Sequence, residues 1–190
     1  MNRVVFVCGS PGAGKSSIVN GVAKNKHYKI VNVGTQIMKI ALKKKYVKDR
    51  DELRFLSAKK VNELQVEAFK EITKMDGNII LDTHATIEQN GRYLPGFAMS
   101  HQQHLKNLVG FVYIDALTQD ISRRRKGDKT RRRENERVEL IDVQREINIS
   151  IIAACSTYYD IPLYVVFNEQ GELDLSVKEF SVHLKELFGV

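Results

Sequence analysis

The chain has 190 residues, of which 43% are hydrophobic and 28% charged, as expected for one ordinary globular domain. It contains no apolar run long enough to cross a bilayer and no secretory signal pattern, so we expect a cytoplasmic protein without a membrane partner. Its two cysteines, Cys8 and Cys155, cannot form a four-thiolate zinc site, and we expect both to be buried, reduced thiols.

Five short, nearly continuous apolar runs alternate along the chain with longer helical stretches. Runs of this kind suit strands that are buried on both faces, and they predict an α/β fold with a doubly wound, five-stranded parallel sheet. The predicted strands are residues 4–8, 29–33, 78–82, 109–115 and 162–167. The predicted helices are residues 16–25, 35–45, 50–75, 98–106, 116–125, 136–157 and 175–188.

The first predicted strand leads directly into GSPGAGKS, residues 9–16, which fits the GxxxxGK[ST] pattern. Glycines let successive backbone N–H groups turn toward phosphate oxygens, and the N-terminus of the following helix favours anions. Lys15 can reach the β- and γ-phosphates, and the Ser16 hydroxyl can bind Mg²⁺. The motif predicts a fold of the P-loop NTPase type that binds a nucleoside triphosphate through Gly9, Ser10, Pro11, Gly12, Ala13, Gly14, Lys15, Ser16 and Ser17.

The end of the third predicted strand separates the classes of P-loop protein. A motor ATPase usually ends this strand with Asp-Glu, whereas Asp82 is followed here by Thr83. Asp82 is placed to orient Mg²⁺ through water, but the next residue cannot activate a water molecule as a base. The only Asn-Lys pair, residues 25–26, lacks the aspartate of a guanine-binding motif. These features favour a kinase whose acceptor is itself an ionised phosphate.

The net charge of +7 is concentrated in one segment, RRRKGDKTRRR, at residues 123–133. Its eight basic residues and one aspartate account for the whole excess, so the rest of the chain is electrically balanced. A kinase must exclude water, and an arginine-rich loop closes the site and neutralises the transferred phosphoryl group. We interpret residues 126–134 as such a lid. The alternative is a non-enzymatic, ATP-dependent RNA-associated factor, but the segment has no aromatic residue to stack on bases, so we do not expect nucleic acid as a partner.

Several stretches together resemble the archaeal-type adenylate kinases, which are P-loop nucleoside monophosphate kinases. They are YKIVNVGTQIM (28–38), VKDRDELRFL (47–56), LDTHATI (81–87), GRYLPGF (91–97), the basic segment and VVFNEQG (165–171). The resemblance covers nearly the whole chain and implies reversible phosphoryl transfer from ATP to AMP, with Mg²⁺, to give two ADP. It also implies one kinase domain over residues 1–190, with a helical monophosphate-binding insertion at about 35–75 and the lid at about 126–134.

The same resemblance implies roles for individual residues. Lys15, Arg124, Arg131 and Arg133 would be catalytic, with the three arginines closing on the phosphates. The residues implied for AMP binding are Gly34, Thr35, Arg54, Thr83, His84, Arg92, Leu94, Pro95 and Gly96. Members of this family are commonly trimers, so the resemblance implies a homo-oligomer.

The chain departs from the family in two places. The family often carries Asn-Arg in the helix after the lid, whereas Asn148 is followed here by Ile149, and we expect Arg145 to reach the same region from one turn earlier. Three further arginines, Arg123, Arg125 and Arg132, exceed the needs of catalysis and are expected to face solvent.

Because the AMP pocket rests on the resemblance, a kinase for CMP, UMP or another small acceptor is the alternative enzyme.

Overall fold

The computed structural model describes residues 2–24, 27–49, 51–89, 91–96, 107–128 and 137–190. The predicted helix over residues 98–106 lies outside the described residues, as does the predicted lid apart from residues 126–128.

The main sheet has five parallel strands, as the apolar runs predict. They are β1 (Arg3–Gly9), β2 (Tyr28–Asn32), β3 (Asn78–Asp82), β6 (Leu108–Asp115) and β7 (Leu163–Phe167). Their order across the sheet is β2-β3-β1-β6-β7. β1 lies at the centre, and six of its seven residues are buried. The carboxyl ends of the five parallel strands meet at one edge of the sheet, which is where ligands bind in such folds.

Helices cover both faces of the sheet. They are α1 (Lys15–Gly21), α2 (Val33–Lys43), α3 (Ala58–Ile72), α4 (Thr118–Gly127), α5 (Val138–Tyr159) and α6 (Leu173–Phe188). Alternate residues of β1 enter opposite cores: Val5 packs with residues of α1 and α6, whereas Phe6 packs with residues of α3 and α5. This alternation follows from the two-residue period of a strand and produces the predicted doubly wound fold. Within the described residues, no helix combines the length and apolar composition that a membrane span requires.

The segment between β2 and β3 is helical, but the single predicted helix over residues 50–75 is wrong. The chain forms a short 3₁₀ helix, Asp51–Phe55, and α3 begins only after Ser57. The Ser57 hydroxyl accepts a hydrogen bond from the Lys60 N–H at 3.4 Å, and an N-terminal cap of this kind starts a new helix. α2 and α3 enclose a small separate core around Ile40 and Leu64.

A β-hairpin follows β3 that the sequence analysis missed. Its strands, β4 (Thr86–Gln89) and β5 (Arg92–Pro95), are antiparallel. The hairpin returns to its own base, where the Gly96 N–H donates to the Ala85 carbonyl oxygen at 2.9 Å. A Cβ atom on Gly96 would lie 2.2 Å from the His84 carbonyl oxygen, so this close approach requires glycine.

Candidate active site

The P-loop occupies the bend between the end of β1 and the start of α1. Gly12 and Gly14 have φ of 89° and 94°, a backbone conformation that favours glycine. A Cβ atom on Gly14 would lie only 2.0 Å from Nδ2 of Asn168, and one on Gly9 would lie 2.3 Å from the Ile114 carbonyl oxygen. Two of the motif glycines are therefore needed so that neighbouring strands and turns can approach the loop.

A cleft of about 460 Å³ opens above the P-loop. Its lining comes from the loop, the turn after β3 and the C-terminal part of α4: Gly9, Ser10, Pro11, Gly12, Gly14, Lys15, Ser16, Ser17, His84, Arg124, Arg125 and Asp128. The structure thus brings together nearly all the residues predicted to bind ATP with His84 and Arg124. Ala13 is buried, and its carbonyl oxygen accepts hydrogen bonds.

Lys15 and Asp82 face each other at the ends of adjoining elements. The Lys15 ammonium contacts one carboxylate oxygen of Asp82, and both side chains are nearly buried. Burial lowers the pKa of Lys15 to about 8, and the nearby Cys8 thiol opposes this shift to a smaller extent. The other carboxylate oxygen accepts a hydrogen bond from the Asn32 amide at 2.8 Å. A lysine suited to phosphate and a carboxylate suited to a cation thus stand at the same edge of the sheet.

Arg124 connects the P-loop to the turn after β7. Its guanidinium donates to the Ala13 carbonyl oxygen at 3.2 Å and to the Asn168 carbonyl oxygen at 2.9 Å. The side-chain amide of Asn168 also donates to the Ala13 oxygen, at 2.8 Å. The sequence analysis did not select Asn168, although it directly follows an apolar strand, which is a position where polar residues often face a ligand.

The expectation that Arg125 faces solvent is wrong. Arg125 is 5% exposed, and it donates to the Pro11 carbonyl oxygen at 2.7 Å and to the Gln144 side chain at 2.8 Å. It lies on the face of α4 that is packed toward α5 and the P-loop, where these acceptors compensate its burial. Arg123 is exposed as expected, whereas Arg132 lies outside the described residues.

Arg145 is held by carboxylates. Its guanidinium donates to both Asp115 carboxylate oxygens, at 2.9 and 2.8 Å, and to the Asp142 carboxylate at 3.0 Å. It also donates to the Thr118 hydroxyl at 2.7 Å. The bidentate bond to Asp115 raises the pKa of Arg145 further above its usual range. In this structure the guanidinium is therefore engaged by its own chain, and Ile149 packs against the apolar core.

A buried hydrogen-bond network links the P-loop to the hairpin, and the sequence analysis missed it. The Asn148 amide donates to the Ser10 hydroxyl at 3.2 Å and accepts from the Thr86 hydroxyl at 2.6 Å. The Ser10 and Tyr113 hydroxyls are 3.0 Å apart. Burial raises the pKa of Tyr113, so its hydroxyl keeps its proton.

The residues implied for AMP are only partly assembled. Gly34 and Thr35 lie in the first turn of α2, Thr83 is buried, and His84 lines the cleft beside Gly96. Arg92, Leu94 and Pro95 lie on the exposed hairpin. The side chain of Arg54 and all of Arg131 and Arg133 lie outside the described residues.

Comparison with known proteins identifies the family. A family model described as an AAA domain matches residues 8–142. The chain is 32% identical over 179 residues to the adenylate kinase of Methanothermobacter thermautotrophicus, covering 93% of this chain and 96% of that one. It is 36% identical over 168 residues to the adenylate kinase of Thermoplasma acidophilum, covering 88% and 91%. The chain belongs to the adenylate kinase family.

The family resemblance and the kinase class inferred from the sequence are therefore confirmed. A crystal structure of shikimate kinase from Bacteroides thetaiotaomicron superimposes with a TM-score of 0.62 at 14% identity, over 96% of this chain and 98% of that one. This likeness shows that the chain shares the fold of that protein.

Proposed function

We propose that this chain catalyses reversible transfer of the γ-phosphoryl group of ATP to AMP, giving two molecules of ADP. The observation that carries the proposal is a P-loop with Lys15 beside Asp82, in a chain that matches adenylate kinases over nearly its full length. The alternative of an RNA-associated factor has no comparable support. This activity requires two nucleotide sites, and we assign ATP to the P-loop side of the cleft and AMP to the other side.

The P-loop holds the triphosphate of ATP. Lys15 exchanges its contact with Asp82 for the β- and γ-phosphates, where its charge offsets the negative charge of the transferred group. The Ser16 hydroxyl in the cleft and the Asp82 carboxylate beside Lys15 are oxygen donors of the kind that Mg²⁺ prefers, and they would hold this cation, Asp82 through water. When bound with ATP, Mg²⁺ supplies further neutralisation of the β- and γ-phosphates.

The base of ATP occupies the cavity of about 210 Å³ beside the P-loop. Arg124, Asn168, Gln170 and Leu173 line it, so a planar guanidinium and an apolar side chain are both available to an adenine ring. The Arg124 side chain is held in place by the Gln170 side-chain oxygen at 3.4 Å in addition to its backbone acceptors. The cavity shares Gly14, Ser17 and Arg124 with the main cleft, so a base attached to phosphates in the cleft can reach it.

AMP binds on the other side of β1, between the insertion and the hairpin. Gly34 and Thr35 contact it at the N-terminus of α2, and Arg54 binds its phosphate. Thr83 and His84 lie between the two nucleotides. The hairpin residues that complete the pocket are Arg92, Leu94, Pro95 and Gly96. The close packing of Gly96 against His84 supports this arrangement because it ties the hairpin to the turn in the cleft.

The lid closes from the α4 side. Arg131 and Arg133 surround the transferred phosphoryl group and exclude water, which would otherwise hydrolyse ATP, while Arg124 stays beside the base. In this proposal residues 35–75 are the monophosphate-binding insertion, and residues 126–134 are the lid, of one kinase domain over residues 1–190.

The chain works as a homo-oligomer, and the family resemblance favours a trimer. α5 exposes Leu140, Val143 and Tyr158, the last at 68%. On the edge strand β7, Val165 and Phe167 are also exposed. These residues give one side of the molecule an apolar surface of the kind that marks protein contacts. Sedimentation of the wild type against Phe167→Asp checks this, since a trimer should become a monomer.

The protein works in the cytoplasm, where its nucleotide substrates are abundant. The two thiols, Cys8 and Cys155, are buried and form no disulfide, which fits a reducing compartment.

One assay tests the proposed function and its alternative acceptor. ADP formation from Mg·ATP is measured with AMP, CMP, UMP and GMP in turn. The proposal expects rapid turnover with AMP, slow turnover with the other three, and negligible turnover when Lys15→Ala replaces the wild type. If the protein binds ATP but transfers phosphate to no monophosphate, the proposed function is overturned. If it prefers CMP or UMP, that nucleotide is the acceptor instead of AMP.

A further inference from the structure

Asn32 joins the two sides of the active site. It is the last residue of β2, and Asp82 is the last residue of β3 and its register partner on the neighbouring strand. The amide nitrogen of Asn32 donates to the Asp82 carboxylate at 2.8 Å. The amide oxygen accepts from the Thr35 N–H at 2.9 Å and lies 3.1 Å from the Thr35 hydroxyl.

These bonds use both ends of one rigid amide. Because the nitrogen is fixed on a carboxylate and the oxygen caps α2, neither group can shift without turning the other. Asp82 in turn contacts Lys15 through its remaining oxygen. A continuous chain of contacts therefore runs from Thr35, in the first turn of α2, to the lysine of the P-loop.

We propose that Asn32 is a positioning residue that couples the N-terminal turn of α2 to the orientation of the Asp82 carboxylate. The inference rests on the proposed function, in which AMP binds at Gly34 and Thr35. AMP at the first turn of α2 draws the Thr35 backbone into one position, and the Asn32 amide transmits that position to the carboxylate. The Asp82 carboxylate then takes its active orientation only when both nucleotides are bound, so ATP does not react before AMP is present.

Asn32→Ser separates the two bonds of the amide. Serine caps helices as well as asparagine does, so α2 keeps its cap, but its side chain is too short to reach Asp82. Asn32→Ala loses both bonds. If the link to the carboxylate is what matters, the two variants should have the same kinetic defect, although Asn32→Ala should have the lower melting temperature.

A control lies outside both proposed nucleotide sites. Ser156→Ala removes the hydrogen bond that the Ser156 hydroxyl donates to the Ile161 carbonyl oxygen at 2.6 Å, at the C-terminal end of α5. It should lower the melting temperature, and it should leave kcat unchanged.

Two measurements follow for each variant. Steady-state kinetics should show kcat lowered by about 10- to 100-fold in both Asn32 variants, as is typical when a group that orients a metal-site carboxylate is lost. Calorimetry measures AMP affinity with and without a non-hydrolysable ATP analogue and Mg²⁺. The wild type should bind AMP more tightly with the analogue, by a factor of about 5 or more, and this factor should fall to about 1 in Asn32→Ser.

A double-variant cycle decides whether Asn32 acts through the carboxylate. In an Asp82→Asn background, Asn32→Ser should cause no further loss of kcat. A further loss equal to that in the wild type would overturn the proposal, as would an Asn32→Ser variant that keeps both its kcat and its AMP coupling. Failure of the wild type to bind AMP or form ADP would instead overturn the proposed function itself.

Discussion

The Arg124 guanidinium donates to the carbonyl oxygen of Ala13 at 3.2 Å, which bonds the helix leading into the basic segment directly to the P-loop. The Asn168 amide donates to the same oxygen from the turn after β7. The loop that holds the triphosphate is therefore fixed from two distant parts of the chain. Its shape depends on side chains that no local motif includes.

Two neighbouring arginines of α4 should respond differently to truncation. Arg125→Ala should lower the free energy of unfolding by about 1–3 kcal/mol, because the Pro11 carbonyl and the Gln144 side chain lose a buried donor. Arg123→Ala is the control, since its side chain is 65% exposed, and it should change the free energy of unfolding by less than about 0.5 kcal/mol. Urea unfolding measures both, and equal effects would contradict the burial of Arg125.

Gly14→Ala should abolish ATP binding. The new methyl group would meet Asn168 at 2.0 Å, and the residue would have to keep a φ of 94°. Gly77→Ala is the matched control, because Gly77 has a φ of 89° but nothing within 4 Å of the added methyl group. It should cost about 1–2 kcal/mol of stability through the backbone alone and leave the ATP affinity unchanged. Calorimetric titration with ATP distinguishes them, and retained affinity in Gly14→Ala would refute the argument.

Arg131→Ala and Arg133→Ala should lower kcat far more than they weaken ATP binding. Arginines that act on the transferred group stabilise the transition state, and losing one costs on the order of 10³-fold in turnover. Arg123→Ala again serves as the control, with turnover close to that of the wild type. The measurements are kcat and the dissociation constant of ATP. Parallel losses in the two quantities would assign these arginines to ground-state binding.

The two thiols should be inert in the folded protein. Cys8 is fully buried below the P-loop, and burial raises the pKa of its thiol, so almost no reactive thiolate exists at pH 8. Cys155 is buried in the same apolar core. A chromogenic disulfide reagent should therefore modify neither cysteine quickly, whereas both should react at once in urea. Rapid modification of the native chain would show that this core opens to solvent.

Much of the sheet could be predicted from the sequence because its strands are buried on both faces. The apolar run in β1, for example, needs no tertiary information to be recognised. The helix that was predicted across residues 50–75 failed because the cap at Ser57 outweighs a continuous helical pattern. The hairpin was missed because strands of four residues carry too little periodicity to be distinguished from a loop.

The site was predicted where one local motif contains it, and missed where tertiary packing creates it. Residues 9–17 follow each other in sequence, whereas Asn148 reaches Ser10 across 138 positions. The burial of Arg125 depends on how α4 packs against α5, which helical periodicity alone does not give. A usable signal was present nevertheless: Asn32, Asp82 and Asn168 each stand where an apolar strand ends.

The strand order has one further consequence. With β1 in the middle, residues 35–75, which we propose to bind the acceptor, lie on one side of the P-loop strand, and the helix that leads into the basic segment lies on the other. Under the proposed function, sequence changes on the first side would alter the choice of acceptor and leave the P-loop intact. A scaffold divided in this way is a natural starting point for kinases of new specificity, since only one of its halves has to be redesigned.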